Sequence, residues 1–178
     1  MNILAISGSL RSSSSNSALI RAAAALAPRG VNVKIYSGLG ELPFFNPDLD
    51  VEPGPVAVET FRYEVLSADA LLISAPEYAH GVPGVLKNAL DWLVGSGELM
   101  DKPVAVINAS PRATHAFASL TETLSVMSGR IVPEASITVA VSGRLKDEHA
   151  IGADPAVAAA LRDALTTLAA VVPLPFTS

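Results

Sequence analysis

Short continuous runs of apolar residues, many of them β-branched, alternate along this chain with longer stretches whose apolar positions recur every three or four residues. The runs fall at residues 3–6, 31–36, 70–75, 104–109 and 137–141, and each reads as a strand buried on both faces. Helical periodicity covers 17–26, 56–66, 85–93, 117–127 and 156–171. The last of these is announced by Asp154-Pro155, a capping residue followed by a proline suited to the first helical turn. Residues 37–55, rich in glycine and proline, form the one long loop.

Five βα units with short connections predict a parallel sheet with right-handed crossovers and helices on both faces. The expected fold is α/β, a flavodoxin-like three-layer sandwich with a five-stranded parallel sheet of order 2-1-3-4-5, spanning residues 1–178 as a single domain. That order puts a ligand crevice between the carboxyl ends of strands 1 and 3. Two loops therefore carry the candidate chemistry, "GSLRSSSSNS" after strand 1 and "PEYAHGVPG" after strand 3.

The first loop leads into a helix N-terminus, where unpaired backbone N–H groups and the helix dipole attract an anion. Ser9, Ser14, Asn16 and Ser17 add side-chain donors, Arg11 adds charge, and Gly8 permits a tight turn. A terminal monophosphate is the simplest guest. A serine-rich surface loop with an ordinary N-cap is the plainer reading, and the position at the first βα turn favours the anion site. Neither GxxxxGK[ST] nor GxGxxG is present, which disfavours a nucleoside-triphosphate loop and a dinucleotide fingerprint. In the second loop Pro76 and Pro83 stiffen the turn, Gly81 and Gly84 allow close approach, and Tyr78 offers an aromatic edge, so a planar ring fits. His80 reads as a loop or interface residue. Lys87, Asn88 and Asp91 either face solvent or brace the loop.

Composition narrows the classes. The 178 residues are 50% hydrophobic and 16% charged, which predicts a folded chain. A net charge of −5 without a basic stripe argues against nucleic acid as a partner. Charged residues interrupt the apolar stretches and no signal-like block opens the chain, so a soluble cytoplasmic protein with no membrane partner is expected. With no cysteine, disulfides, thiolate metal sites and a phosphatase-type thiol nucleophile are excluded, and no metal is expected. The mean hydropathy of +0.43 hints at apolar surface covered by another subunit.

The motif "GSLRxxSxN", matched by Gly8, Ser9, Leu10, Arg11, Ser14 and Asn16, precedes "PEYxxxxPGxLKNAxDW", matched from Pro76 through Trp92. In this order they resemble the NADPH-dependent FMN reductase family, flavodoxin-like proteins that include quinone, chromate and azo-dye reductases. "LPFFNPDLD" resembles the family's loop after strand 2, so the likeness extends over residues 1 to about 170. The resemblance implies that Ser9, Arg11, Ser14, Asn16 and Ser17 hold the phosphate of FMN, and that Pro76, Glu77, Tyr78 and Ala79 line its ribityl chain and ring. It implies NAD(P)H as co-substrate, quinones, flavins or similar flat electron acceptors as second substrate, and ping-pong kinetics. No catalytic side chain is required, although His115 or Tyr78 could donate a proton to the acceptor. The stripe of Leu86, Leu90, Trp92 and Leu93 packs on the sheet or on a partner, and the family's dimers or tetramers point to Leu90, Trp92 and Leu93 as interface candidates.

Two departures stand out. Ala79 replaces a common asparagine. After strand 4, "NASPRATHAFASL" keeps Ser110 but replaces a glycine-rich SxGxxGG turn with Arg112, Ala113, Thr114, His115 and Ala116. The bulk of that segment predicts a turn displaced from the flavin and a loosely held cofactor. The alternatives are a flavodoxin-like electron carrier and a flavin-free scaffold.

Overall fold

A computed structural model describes residues 1–141, 145 and 147–172. The remainder of the domain expected over 1–178, residues 142–144, 146 and 173–178, lies outside the described residues. Strands β1 (Asn2–Ser7), β2 (Asn32–Tyr36), β3 (Ala70–Ser74), β4 (Pro103–Val106) and β5 (Arg130–Ile131) form one parallel sheet in the order β2-β1-β3-β4-β5, as the sequence predicts.

Alternation along the strands divides the core into two layers. Leu4, Ile6, Leu71, Ile73, Val104 and Val106 point to one face and meet helices α2 (Val56–Ser67), α3 (Gly84–Asp91) and α4 (Thr114–Val126). Ile3, Ala5, Ala70, Leu72, Ala105 and Ile107 point to the other, against α1 (Ser15–Ala25), α5 (Glu148–Ala153) and α6 (Pro155–Ala170). All five residues of β3 are buried, because this strand has neighbours on both edges and helices above and below.

The fifth strand differs from expectation. The regular ladder beside β4 lies at Arg130–Ile131, not at 137–141. A 3-10 turn at Pro133–Ala135 then lifts the chain off the edge, and the Ser136 hydroxyl takes over by accepting from the Val106 N–H at 3.1 Å. Residues 137–141 return as an irregular edge. Asn108 donates its N–H to the Ile137 carbonyl at 2.8 Å, and Val139 donates to the Asn108 carbonyl at 2.7 Å. A hydroxyl in place of a ladder carbonyl lets the strand break without leaving a backbone donor unpaired.

Helix α5, absent from the sequence reading, is only 6 residues long and amphipathic periodicity has no room to show. Asp147 caps it, and Glu148 pairs with Arg21 of α1 at 3.1 Å. A hydrogen bond from its own backbone N–H, and then Arg21, hold the Glu148 carboxyl below its ordinary value. Since the folded value is the lower one, this stabilisation is present above the usual carboxylate range and is lost as pH falls through it. Thermal melts should therefore show Glu148→Gln below the parent chain near pH 7, with a smaller gap at about pH 3. An equal gap at both pH values would remove the charge from this account.

Leu90, Trp92 and Leu93 are almost wholly buried in the core between α3 and the sheet. Their expected place at a subunit interface is therefore corrected: the apolar stripe of α3 packs on its own sheet.

Candidate functional site

The crevice forms where β1 and β3 diverge in connectivity, at their carboxyl ends. Gly8 lets the two sides meet: a Cβ there would stand 3.0 Å from Leu86 Cδ2 and 3.1 Å from Ala75 Cβ. Close approach, rather than a left-handed turn, is what this position requires. Ser14 caps α1, its Oγ accepting from the Ser17 N–H at 3.3 Å. Ser7 and Ser17 share a hydroxyl–hydroxyl bond at 2.8 Å. Asn16, nearly buried, accepts from the hydroxyl of fully buried Ser74 at 2.9 Å, which ties α1 to the end of β3 and leaves the amide donors of Asn16 for the crevice.

The expected phosphate residues do not all share one cavity. Ser15 and Asn16 border a cleft of about 400 Å³ that also meets Pro76, Glu77 and Ser110. Ser9, Arg11 and Ser17 line a neighbouring depression of about 300 Å³, on the β2 side of the turn, together with Arg21 and Tyr36. Arg11 Nε donates to Ser13 Oγ at 3.0 Å across exposed surface. The serine turn is thus a wall with donors on both sides.

On the β3 side, Pro76 and Glu77 border the cleft, whereas Tyr78, Ala79 and His80 are exposed. Tyr78 and Gly81 exchange backbone bonds at 3.2 and 2.9 Å, closing a two-residue hairpin. Both central residues are left-handed, Ala79 at φ 49° and His80 at φ 61°. Such a turn favours Asn-Gly, and a side chain with Cβ costs of order 1 kcal/mol or more at each position. This gives a backbone reason for asparagine at position 79 and a cost to alanine there.

The turn after β4 also lies on the cleft, through Ser110, Arg112 and Ala113. Buried Asn108 holds it by donating Nδ2 to the Ala113 carbonyl and accepting the Ser110 N–H through Oδ1, both at 3.1 Å. Asn108 was missed by the sequence reading, although an asparagine at the end of an apolar strand was the available signal. Glu77 Oε2 accepts the Ala116 N–H at 2.9 Å and caps α4 from the other loop. Helix α4 accordingly begins three residues ahead of the periodicity, after Ala113, whose own side chain caps nothing. His115 stacks on His80 with ring centroids 4.1 Å apart and 19° between planes.

The long loop is braced by α3. Asn88 accepts the Phe45 N–H at 2.7 Å and donates to the Pro43 carbonyl at 2.9 Å, while Trp92 Nε1 donates to the same carbonyl at 2.9 Å. Asn88 therefore braces the loop after β2. Lys87 and Asp91 pair with each other along the helix surface.

A parallel 2-1-3-4-5 sheet with a cleft at the β1/β3 switch point defines a flavodoxin-like fold. The model of the NADPH-dependent FMN reductase family matches residues 1–144, and the chain belongs to that family. Over 112 residues it is 42% identical to an NAD(P)H-dependent FMN reductase of Pseudomonas aeruginosa, covering 62% of this chain and 60% of that one. It is 39% identical over 119 residues to a quinone reductase of Pseudomonas putida, covering 65% and 63%. The chain thus spans about three fifths of the length of these curated relatives. Among solved structures, the flavoenzyme NAD(P)H:(acceptor) oxidoreductase of Paracoccus denitrificans is 31% identical, with 74% of each chain covered and a TM-score of 0.68.

Proposed function

We propose that this chain is an NAD(P)H-dependent oxidoreductase that holds one FMN and passes reducing equivalents to quinones, flavins or similar flat acceptors. The observation that carries this reading is the cleft at the β1/β3 switch point, bounded by the N-terminal turn of α1 on one side and Pro76 and Glu77 on the other. Its donor chemistry fits the cofactor: serine hydroxyls, an asparagine amide, an arginine and a helix N-terminus suit a phosphate, and a stiff proline-flanked loop suits a ring.

In this reading Asn16 on the cleft side, Ser14 at the start of α1, and Ser9, Arg11 and Ser17 reaching round the turn from the neighbouring depression hold the phosphate, and Pro76, Glu77, Tyr78, Ala79 and Ser110 bound the remainder. Bound FMN supplies hydride acceptance from the nicotinamide and electron release to the acceptor. The protein binds, orients and excludes water. The net reaction with a quinone converts NAD(P)H, a proton and quinone to NAD(P)⁺ and hydroquinone. Tyr78 or His115, both exposed beside the cleft, can deliver the proton.

The chain is further proposed to be a single cytoplasmic domain acting as a homodimer or homotetramer. Among the described residues no helix is long and apolar enough to cross a membrane. Phe44, 88% exposed on the braced loop, and Val94, 65% exposed, are apolar surface that a second copy would cover. Reconstitution with FMN or FAD followed by gel filtration tests the cofactor. FMN is expected to stay with the protein at one per chain in preference to FAD, because the serine turn suits a terminal monophosphate, and preferential retention of FAD would refute the assignment.

A further inference from the structure

The Tyr78–Gly81 hairpin is held in a conformation that its own residues disfavour. Ala79 and His80 both lie in the left-handed region, with no glycine or asparagine at either position. Its closing bonds, Tyr78 N–H to Gly81 carbonyl and Gly81 N–H to Tyr78 carbonyl, join a loop tip at which Tyr78, Ala79 and His80 are exposed. Two contacts from outside the hairpin oppose its opening. One is the Glu77 carboxylate at the N-terminal turn of α4, and the other is the stack of His80 on His115.

Both contacts run from the loop after β3 to the segment after β4, and Glu77 itself borders the cleft, as does Ala113, two residues before His115. His115 is the second residue of α4, so its ring is carried by the same turn whose Ala116 N–H Glu77 receives. That segment is in turn fixed to β4 by Asn108.

We propose that His80 and His115 are positioning residues that act as a clasp: their stack holds the strained hairpin against the start of α4 and so fixes the backbone wall of the cleft. Helix α4 supplies the rigid half and His80 the half that reaches across. Imidazole serves here as a flat ring, so another aromatic at position 80 can replace it. A sequence that favours the left-handed turn by itself can dispense with it. The clasp is a property of the chain without ligand, and only its consequence for FMN rests on the proposed function.

Hydrogen exchange at the amides of Tyr78, Gly81 and Ala116, measured on the full chain without ligand, tests it. In His80→Ala these amides are expected to exchange roughly tenfold faster through local opening, while those of β3 keep the parent rate. His80→Phe should retain near-parent protection. The double variant Ala79→Asn with His80→Gly removes the ring but favours the turn, and should protect Tyr78 and Gly81 again. Unchanged exchange in His80→Ala, lost protection in His80→Phe, or exchange in the double variant as fast as in His80→Ala would each overturn the clasp. FMN titration of the same proteins gives the second readout: a roughly tenfold weaker affinity in His80→Ala with recovery in the double variant is expected if the hairpin is the cofactor's wall. Recovery in exchange without recovery in affinity would mean that the hairpin does not position the cofactor, overturning that part of the proposal. Failure of the parent chain to take up FMN would refute the proposed function, and the exchange data would still decide the clasp.

Discussion

Arg11→Ala is expected to weaken FMN binding by about 1.5–3 kcal/mol, whereas Ser12→Ala should change it little. Arg11 supplies a permanent positive charge on the turn that leads into α1, and among the described residues its guanidinium is held only by Ser13, across an exposed contact. It is therefore free to turn to a phosphate without breaking a buried ion pair. Arg21 lines the same depression but is engaged with Glu148, so it should not compensate. Ser12 lines the same depression but offers only a neutral hydroxyl, without the charge of a guanidinium. Titration of the ligand-free protein with FMN measures both variants. Equal effects at positions 11 and 12 would show that the phosphate residues are assigned wrongly.

The largest effect on stability is expected at Trp92. Its indole is fully buried, meets Phe45 edge to face at 5.0 Å, and lies 5.9 Å from the Arg62 guanidinium carbon. Trp92→Ala should cost about 3–5 kcal/mol through the cavity and lost contacts. For a domain of this size that lowers Tm by roughly 6–20 °C. Trp92→Phe keeps most of the packing, and the Pro43 carbonyl retains its bond from Asn88, so it should cost less than half as much. A loss in Trp92→Phe equal to that in Trp92→Ala would mean that the indole N–H, rather than the ring's volume, carries the effect.

The strand order was legible because β1, β3 and β4 sit in mostly apolar runs separated by periodic stretches, and right-handed connection then leaves few topologies. The position of β5 was not. Arg130–Ile131 is too short to form a pattern, and the apolar run at 137–141 marks an edge whose ladder the Ser136 hydroxyl has interrupted. The sequence left open whether Leu90, Trp92 and Leu93 face their own sheet or another subunit, since a helical apolar stripe reads the same in both cases.

At the site, the two loops could be located from topology, but the bonds between them could not. Ser14 as the α1 cap follows from local sequence. The cap of α4 comes from Glu77, 39 residues away, so the helix starts where no nearby residue announces it. The bulk of Arg112 and His115 can be read locally, whereas the bonds and ring contact that Asn108, Glu77 and His80 make to this segment are tertiary. The left-handed backbone at Ala79 and His80 is similarly silent in sequence, because those residue types do not signal it.

The central claim, that this chain couples NAD(P)H to a flat acceptor through a resident FMN, is tested most directly by mixing the FMN-loaded protein with NADPH and a limiting amount of a simple quinone in the absence of oxygen. The account predicts that one NADPH is consumed for each quinone reduced, and that the same protein without FMN consumes none. An FMN-loaded chain that leaves NADPH intact in the presence of the quinone would contradict it.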